Sequence, residues 1–214
     1  DYGKDHYAAI TFDNAPQGRR ILMTWMSNWQ YANQAPTMQY RSANAIPCDL
    51  DLFEHNGQTY VGRTPSKELF TARGTQLLKN STAARKTFNT AKGAYELVVV
   101  IKPQTKGKTR LTLQNAAGEK VVVAYDVAAQ TLSVDRNESG KTDFSDAFKA
   151  VTVAPTRGLI TTLRIFVDKS SVEVVDAQGK ASLTNLLFPS TPYNTLLLEN
   201  TGGNKASVSA FEIK

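Results

Sequence analysis

Cysteine is almost missing from this chain: Cys48 stands alone in 214 residues. A single thiol excludes an internal disulfide and a cysteine-rich metal site, and it leaves the compartment open. Histidine is nearly as scarce, and His6 and His55 have no partner at metal-ligand spacing, so neither a metal nor a cofactor is expected. There is no glycine-rich phosphate loop and no nucleophile elbow. No apolar run approaches the roughly 20 residues a membrane-spanning helix needs, and no charged-then-apolar leader opens the chain, so membrane insertion is not expected. Because residue 1 is Asp, the expectation is a mature, cleaved or truncated product. Helical periodicity is also nearly absent, which turns attention to strands.

Charge excludes one further class. The formal net charge is +6, but the basic residues are scattered, and their densest cluster is Lys102, Lys106, Lys108 and Arg110 around a glycine turn. That arrangement reads as a solvated loop, and no nucleic-acid partner is expected. With 41% hydrophobic residues, the chain is long enough for one large domain, or for a domain plus part of another.

The strand signal is sharpest between Thr162 and Val175. Leu163, Ile165 and Val167 alternate with Arg164 and Phe166, and Val172 and Val174 flank Glu173. This period of two marks strands with one face turned inward, and the polar residues between them close a hairpin. A hairpin alone is marginal in water, so its apolar row must be covered by a second sheet. A sandwich follows.

Along the chain, Tyr7 to Phe12 and Arg20 to Met26 form a second hairpin across the turn formers Asp13 to Gly18. Leu50 and Leu52 alternate with Asp49 and Asp51, Tyr60 to Arg63 gives one more short strand, and Pro65 to Phe70 suits a brief helix or ordered linker. Strand-like runs then recur at Tyr95–Ile101, Arg110–Leu113, Val121–Tyr125, Thr131–Val134, Leu159–Val167, Val172–Val175, Leu186–Phe188, Leu196–Glu199 and Val208–Ile213. Many short strands with polar turns predict an all-β fold. The expected division is residues 1–65, a linker over 66–80, and a sandwich over 81–214.

Chemistry is harder to place. In Trp25-Met26-Ser27-Asn28-Trp29-Gln30-Tyr31, aromatic residues lie beside short amides, the composition of a sugar site, because sugar rings offer apolar faces for stacking and hydroxyls for amides. A core or interdomain tryptophan pair fits the same residues. Glycoside hydrolysis requires two carboxyl groups roughly 5 Å apart for retention or roughly 6.5 to 9.5 Å for inversion. Asp1 and Asp5, if extended, lie about 13 Å apart and fail on reach. Asp49 and Asp51 lie about 6.6 Å apart, but their alternation with leucines marks a solvent-facing strand. No catalytic set is identified.

Several ordered motifs nevertheless carry a resemblance across nearly the whole chain. Asp1-Tyr2-Gly3-Lys4-Asp5-His6-Tyr7-Ala8-Ala9, Trp25 to Asn33, Pro36-Thr37 and Arg41 to Pro47 resemble the end of the catalytic domain of glycoside hydrolase family 32. Ser133 to Gly140, Leu163 to Val174 and Phe188-Pro189 resemble that family's C-terminal module. The family comprises invertases, levanases, inulinases and other β-fructosidases. The resemblance implies the terminal strands of a five-bladed β-propeller followed by a C-terminal β-sandwich. It also implies a parent enzyme that retains configuration, using an Asp in an Asn-Asp-Pro-Asn motif, a Glu in a Glu-Cys motif and an Asp in an Arg-Asp-Pro motif. None of these motifs occurs in these 214 residues, so the chain alone is expected to be inactive and to have the missing propeller portion as its partner.

What the resemblance transfers is a substrate-binding rim: Asp5 and Tyr7, with Trp29 and Asn28. Asp5 could instead orient backbone amides, Asn28 could serve either purpose, and Trp25 is assigned to the core. His6 stands where the family usually has Phe or Tyr, Cys48 where Arg commonly follows Pro, and Val175 where Phe is frequent. The implied substrate is a fructan, a fructo-oligosaccharide or sucrose, and the implied location extracellular or periplasmic. Two alternatives stay open. One is a free-standing carbohydrate-binding sandwich, for which Tyr95, Tyr125, Phe166 and Tyr193 would have to form an exposed platform. The other is a structural or oligomerising module.

Overall fold

The hairpin between Thr162 and Asp176 is formed, with Val167 opposite Val172 and Ile165 opposite Val174. In the computed structural model, which describes all residues from Asp1 to Lys214, this hairpin lies near the middle of one of three antiparallel sheets. The first sheet holds β1 (Tyr7–Thr11), β2 (Ile21–Met26), β3 (Ala43–Asn44), β4 (Cys48–His55) and β5 (Gln58–Pro65), in the order β1-β2-β4-β5 with β3 beside β2.

The remaining strands are β6 (Arg73–Ser81), β7 (Arg85–Thr87), β8 (Tyr95–Lys102), β9 (Lys108–Gln114), β10 (Lys120–Asp126), β11 (Thr131–Asp135), β12 (Val151–Pro155), β13 (Thr162–Asp168), β14 (Ser171–Asp176), β15 (Ser182–Leu186), β16 (Thr195–Thr201) and β17 (Lys205–Ile213). They build two six-stranded sheets, β15-β14-β13-β8-β17-β6 and β12-β11-β10-β9-β16-β7. One apolar cluster of 29 buried residues fills the space between them, including Leu97, Leu111, Val123, Leu163 and Val174. This is the expected sandwich, closed because alternate side chains of each sheet interdigitate with those of the other.

Alternation breaks down on β13 and β14 for an instructive reason. Arg164, Phe166, Glu173 and Val175 point away from the sandwich core, yet all four are buried. The first sheet and the segment after it cover that outer face: the Arg164 guanidinium lies 4.4 Å from the Phe70 ring, and Glu173 accepts a hydrogen bond from the Ile46 amide.

The expected linker over 66–80 needs correction. Lys67–Ala72 is a short helical segment of the 3-10 type, but Arg73–Ser81 is the outermost strand of a sandwich sheet, paired with β17 across several register shifts. Thr75, Gln76, Lys79 and Asn80 face solvent, Arg73 turns in to pair with the buried Glu96, and Leu77 and Leu78 pack against the core. The short β3 and β7 and the longer β12 and β15 also escape a sequence reading. In β12, the small residues Thr152 and Ala154 turn inward while Val151 and Val153 face solvent, which inverts the usual signal. In β15, all five residues are buried although three are polar.

The opening segment also departs from expectation. Residues 1–5 do not hang free as part of a blade: the Tyr2 amide donates to the Ser182 carbonyl and the Asp5 amide to the Thr184 carbonyl, so the segment runs along β15. Gly3 allows this approach, since a Cβ there would lie 2.0 Å from the Thr184 carbonyl oxygen. Only from Tyr7 onward does the chain enter the first sheet.

Candidate functional site

A cluster of three aromatic rings marks the open end of the first sheet. Tyr7 begins β1 and sits opposite Trp25 of β2, and Trp29 lies in the turn that follows β2. The ring centroids of Trp25 and Trp29 are 4.8 Å apart, and Tyr7 stands edge-on to both at 6.1 and 6.5 Å. Tyr7 is 55% exposed, Trp29 71%, and Trp25 is half-buried. Trp25 therefore belongs to this exposed cluster rather than to the core. Exposed, mutually braced aromatic faces are chemically suited to stacking on the apolar face of a sugar ring.

The other two candidates point elsewhere. The Asn28 Nδ2 donates to the Lys4 carbonyl at 2.7 Å, and its Oδ1 accepts from the Gln30 amide at 2.9 Å, so the amide braces the turn that carries Trp29. Asp5 has no exposed surface. Its Oδ1 accepts the Tyr31 hydroxyl at 2.5 Å, while its Oδ2 accepts Arg136 Nη1 at 2.5 Å and the Leu186 amide at 2.8 Å. Tyr7 and Trp29 thus come together in the exposed cluster, whereas Asp5 and Asn28 lie behind it.

Behind the rim runs a polar seam between the first sheet and the sandwich. Arg63 of β5 donates to Asp1 Oδ2 at 2.5 Å, to Ser182 Oγ at 2.8 Å and to Thr184 Oγ1 at 3.0 Å. His6 Nε2 lies 2.6 Å from Arg63 Nη1 and must accept from it, so its ring is neutral. Burial, reinforced by the Arg63 charge, pushes His6 down to about 3. Glu173 moves the other way: burial raises it to about 7, against the opposing pull of Arg63. Burial also lifts the Cys48 thiol to about 11, which leaves it unreactive at neutral pH.

Neither carboxylate pair weighed from the sequence forms a catalytic couple. Asp1 and Asp5 are each paired with a separate arginine of the seam. Asp49 is held in a forked bond by Arg19, which keeps its carboxyl below the usual range, and Asp51 caps the Leu52 amide. The platform considered for a free-standing binding sandwich does not exist either. Tyr95, Tyr125 and Tyr193 are almost fully buried, and Phe166 is covered beneath the first sheet.

Sequence reasoning missed Arg136, Tyr31 and Arg63. Arg136 lies inside the quoted Ser133 to Gly140 motif and Tyr31 beside Trp29, but nothing in the local pattern shows that residues so distant in sequence meet.

Known proteins resemble both ends of the chain. The family model described as the N-terminal domain of glycosyl hydrolases family 32 covers residues 1–64, and that described as the family 32 C terminal covers residues 56–214. A levanase of Bacillus subtilis (strain 168) is 39% identical over 202 residues, spanning 88% of this chain and 30% of the levanase. An extracellular exo-inulinase of Aspergillus niger is 32% identical, spanning 95% of this chain and 40% of the inulinase. The crystal structure of an exo-inulinase from Aspergillus awamori superposes with a TM-score of 0.88 at 28% identity, covering all of this chain and 44% of that one. The chain therefore spans less than half the length of these relatives. With both family models matched in order, and an N-terminal sheet followed by the sandwich, the chain belongs to glycoside hydrolase family 32.

Proposed function

We propose that this chain supplies the C-terminal part of a secreted fructan-hydrolysing β-fructosidase: part of the sugar-binding rim, and the sandwich on which the propeller rests. The observation that carries this reading is the exposed Tyr7, Trp25 and Trp29 cluster on a sheet belonging to the family's N-terminal domain. Tyr7 and Trp29 bind the fructosyl unit, and Asn28 and Asp5 hold the rim in place. Relatives named as levanase and extracellular exo-inulinase support a fructan substrate and an extracellular location. The acid, base and nucleophile lie outside these 214 residues, on the propeller portion that packs against the exposed Ile10, Phe12, Leu52 and Val61.

Two measurements test the reading. Purified chain incubated with inulin or levan is expected to release no fructose, and release at rates typical of glycosidases would overturn it. In the full-length enzyme, Trp29→Ala is expected to raise KM for fructo-oligosaccharides about tenfold, a loss of about 1.4 kcal/mol of binding. An unchanged KM would remove Trp29 from the rim.

A further inference from the structure

Arg136 follows β11 in the sandwich and has no exposed surface. Its guanidinium donates through Nε to the Phe148 carbonyl at 2.8 Å, through Nη1 to Asp5 Oδ2 at 2.5 Å and the Leu186 carbonyl at 3.1 Å, and through Nη2 to the Tyr31 hydroxyl at 2.9 Å. Asp5 and Tyr31 are themselves joined. Asp5 precedes Tyr7 by two residues, and Tyr31 follows Trp29 by two, so each tether spans at most about 7 Å of chain. The Asn28 bond to the Lys4 carbonyl links the same two segments a second time.

We propose that Arg136 is a positioning residue for the rim: its buried guanidinium fixes the spacing and tilt of Tyr7 and Trp29 through Asp5 and Tyr31, and so tunes sugar affinity without touching sugar. The affinity half of this statement rests on the sugar-binding reading of the rim; the positioning half does not. A planar fork of five donors is what the node requires, because it bonds four chain segments, at Asp5, Tyr31, Phe148 and Leu186, at fixed angles. A lysine carries the charge but not that geometry.

The chain contains only two tryptophans, Trp25 and Trp29, and both are in the cluster. Its tryptophan near-ultraviolet circular dichroism therefore reports the rim alone. Three variants are compared, each made both in this chain and in the full-length enzyme. Arg136→Lys and Tyr31→Phe disturb the node. Tyr95→Phe removes a buried phenol bond, to the Tyr193 carbonyl at 3.1 Å, within the sandwich and away from the rim.

Arg136→Lys and Tyr31→Phe are expected to weaken the tryptophan signal severalfold, while Tyr95→Phe leaves it intact. In the full-length enzyme the first two are expected to raise KM about threefold to tenfold with kcat little changed. If Tyr95→Phe weakens the signal equally, or if Tyr31→Phe leaves it intact, the positioning role is overturned. Tyr31→Phe keeps the test decisive should Arg136→Lys fail to fold. A weakened signal with unchanged KM would keep the positioning role and refute the sugar-binding reading instead.

Discussion

The two interfaces of this molecule are built on opposite principles. The sandwich sheets meet through a continuous apolar cluster of 29 buried residues, whereas the first sheet meets the sandwich through a cluster of only five, Met26, Tyr31, Ala45, Phe148 and Leu186, surrounded by buried charges. Apolar contact is non-directional and tolerates repacking, so it holds two sheets together without fixing their orientation closely. Buried ion pairs contribute little net stability, but their geometry is demanding, and removing one partner strands the other. The core thus supplies cohesion, and the proposed role of the seam is registration of the aromatic cluster.

The largest expected effect breaks the seam. Arg136→Met leaves the Asp5 carboxylate buried without its cation and is expected to cost about 3–5 kcal/mol in chemical denaturation. Adding Asp5→Leu to that variant is expected to recover much of the loss. Failure to recover it would mean that shape, not charge, matters at this point. In the core, Leu163→Ala is expected to cost about 2–5 kcal/mol through the cavity it leaves, with the tryptophan signal of the surviving folded chain unchanged. A rim that moves with Leu163 would erase the distinction between the two interfaces.

A pH series sharpens the comparison. Glu173 holds its proton to about 7 in the folded chain, against an ordinary value of 4.5, so the folded state binds more protons between these values and stability falls as pH rises through them. His6 opposes this: its folded value of about 3 lies below the ordinary 6.5, so the unfolded state binds more protons between them, and stability falls as pH drops below about 6.5. Glu173→Gln can keep the acceptor for the Ile46 amide. It is expected to gain at most about 3 kcal/mol at pH 8 and to show only the acid-side loss. An unaltered pH profile would show that Glu173 ionises freely in the fold. The smallest change, Gly3→Ala, is expected to cost about 1–3 kcal/mol by pushing the opening segment off β15, and hydrogen exchange at Asp5 would reveal it.

Much of the fold was legible where one face of a strand is apolar and the other polar. β11 follows that pattern, with Leu132 and Val134 buried between Thr131, Ser133 and Asp135, while β8, β10 and the β13–β14 hairpin were legible from their inward apolar rows, and the turn formers at 13–18 separate β1 from β2. Legibility fails where a second layer covers the outer face, as at β15, where Ser182 bonds Arg63, Thr184 bonds Asp1, and Asn185 accepts from the Lys4 amide. It fails again at β6, whose alternation is weak because it is an outer strand with irregular register. Among the candidate residues, Tyr7 and Trp29 stand out by residue type within a motif, and the structure brings them together in one exposed cluster. Asp5 was not separable from them, because its partner lies 131 residues away, and no local pattern encodes so distant a contact.

The docking of the opening segment on β15 also constrains how the protein is made. Asp5 and Leu186 are 181 positions apart, so during translation Asp5 waits for 181 further residues before its bed is made. At typical synthesis rates of about 5–20 residues per second, that wait is about 10 to 35 seconds. Throughout it, β1 and β2 can pair, but the bed for residues 1–5 does not yet exist. The seam is therefore among the last features to close, and until then Asp5 and Tyr31 stand without the Arg136 and Leu186 groups that later bury them.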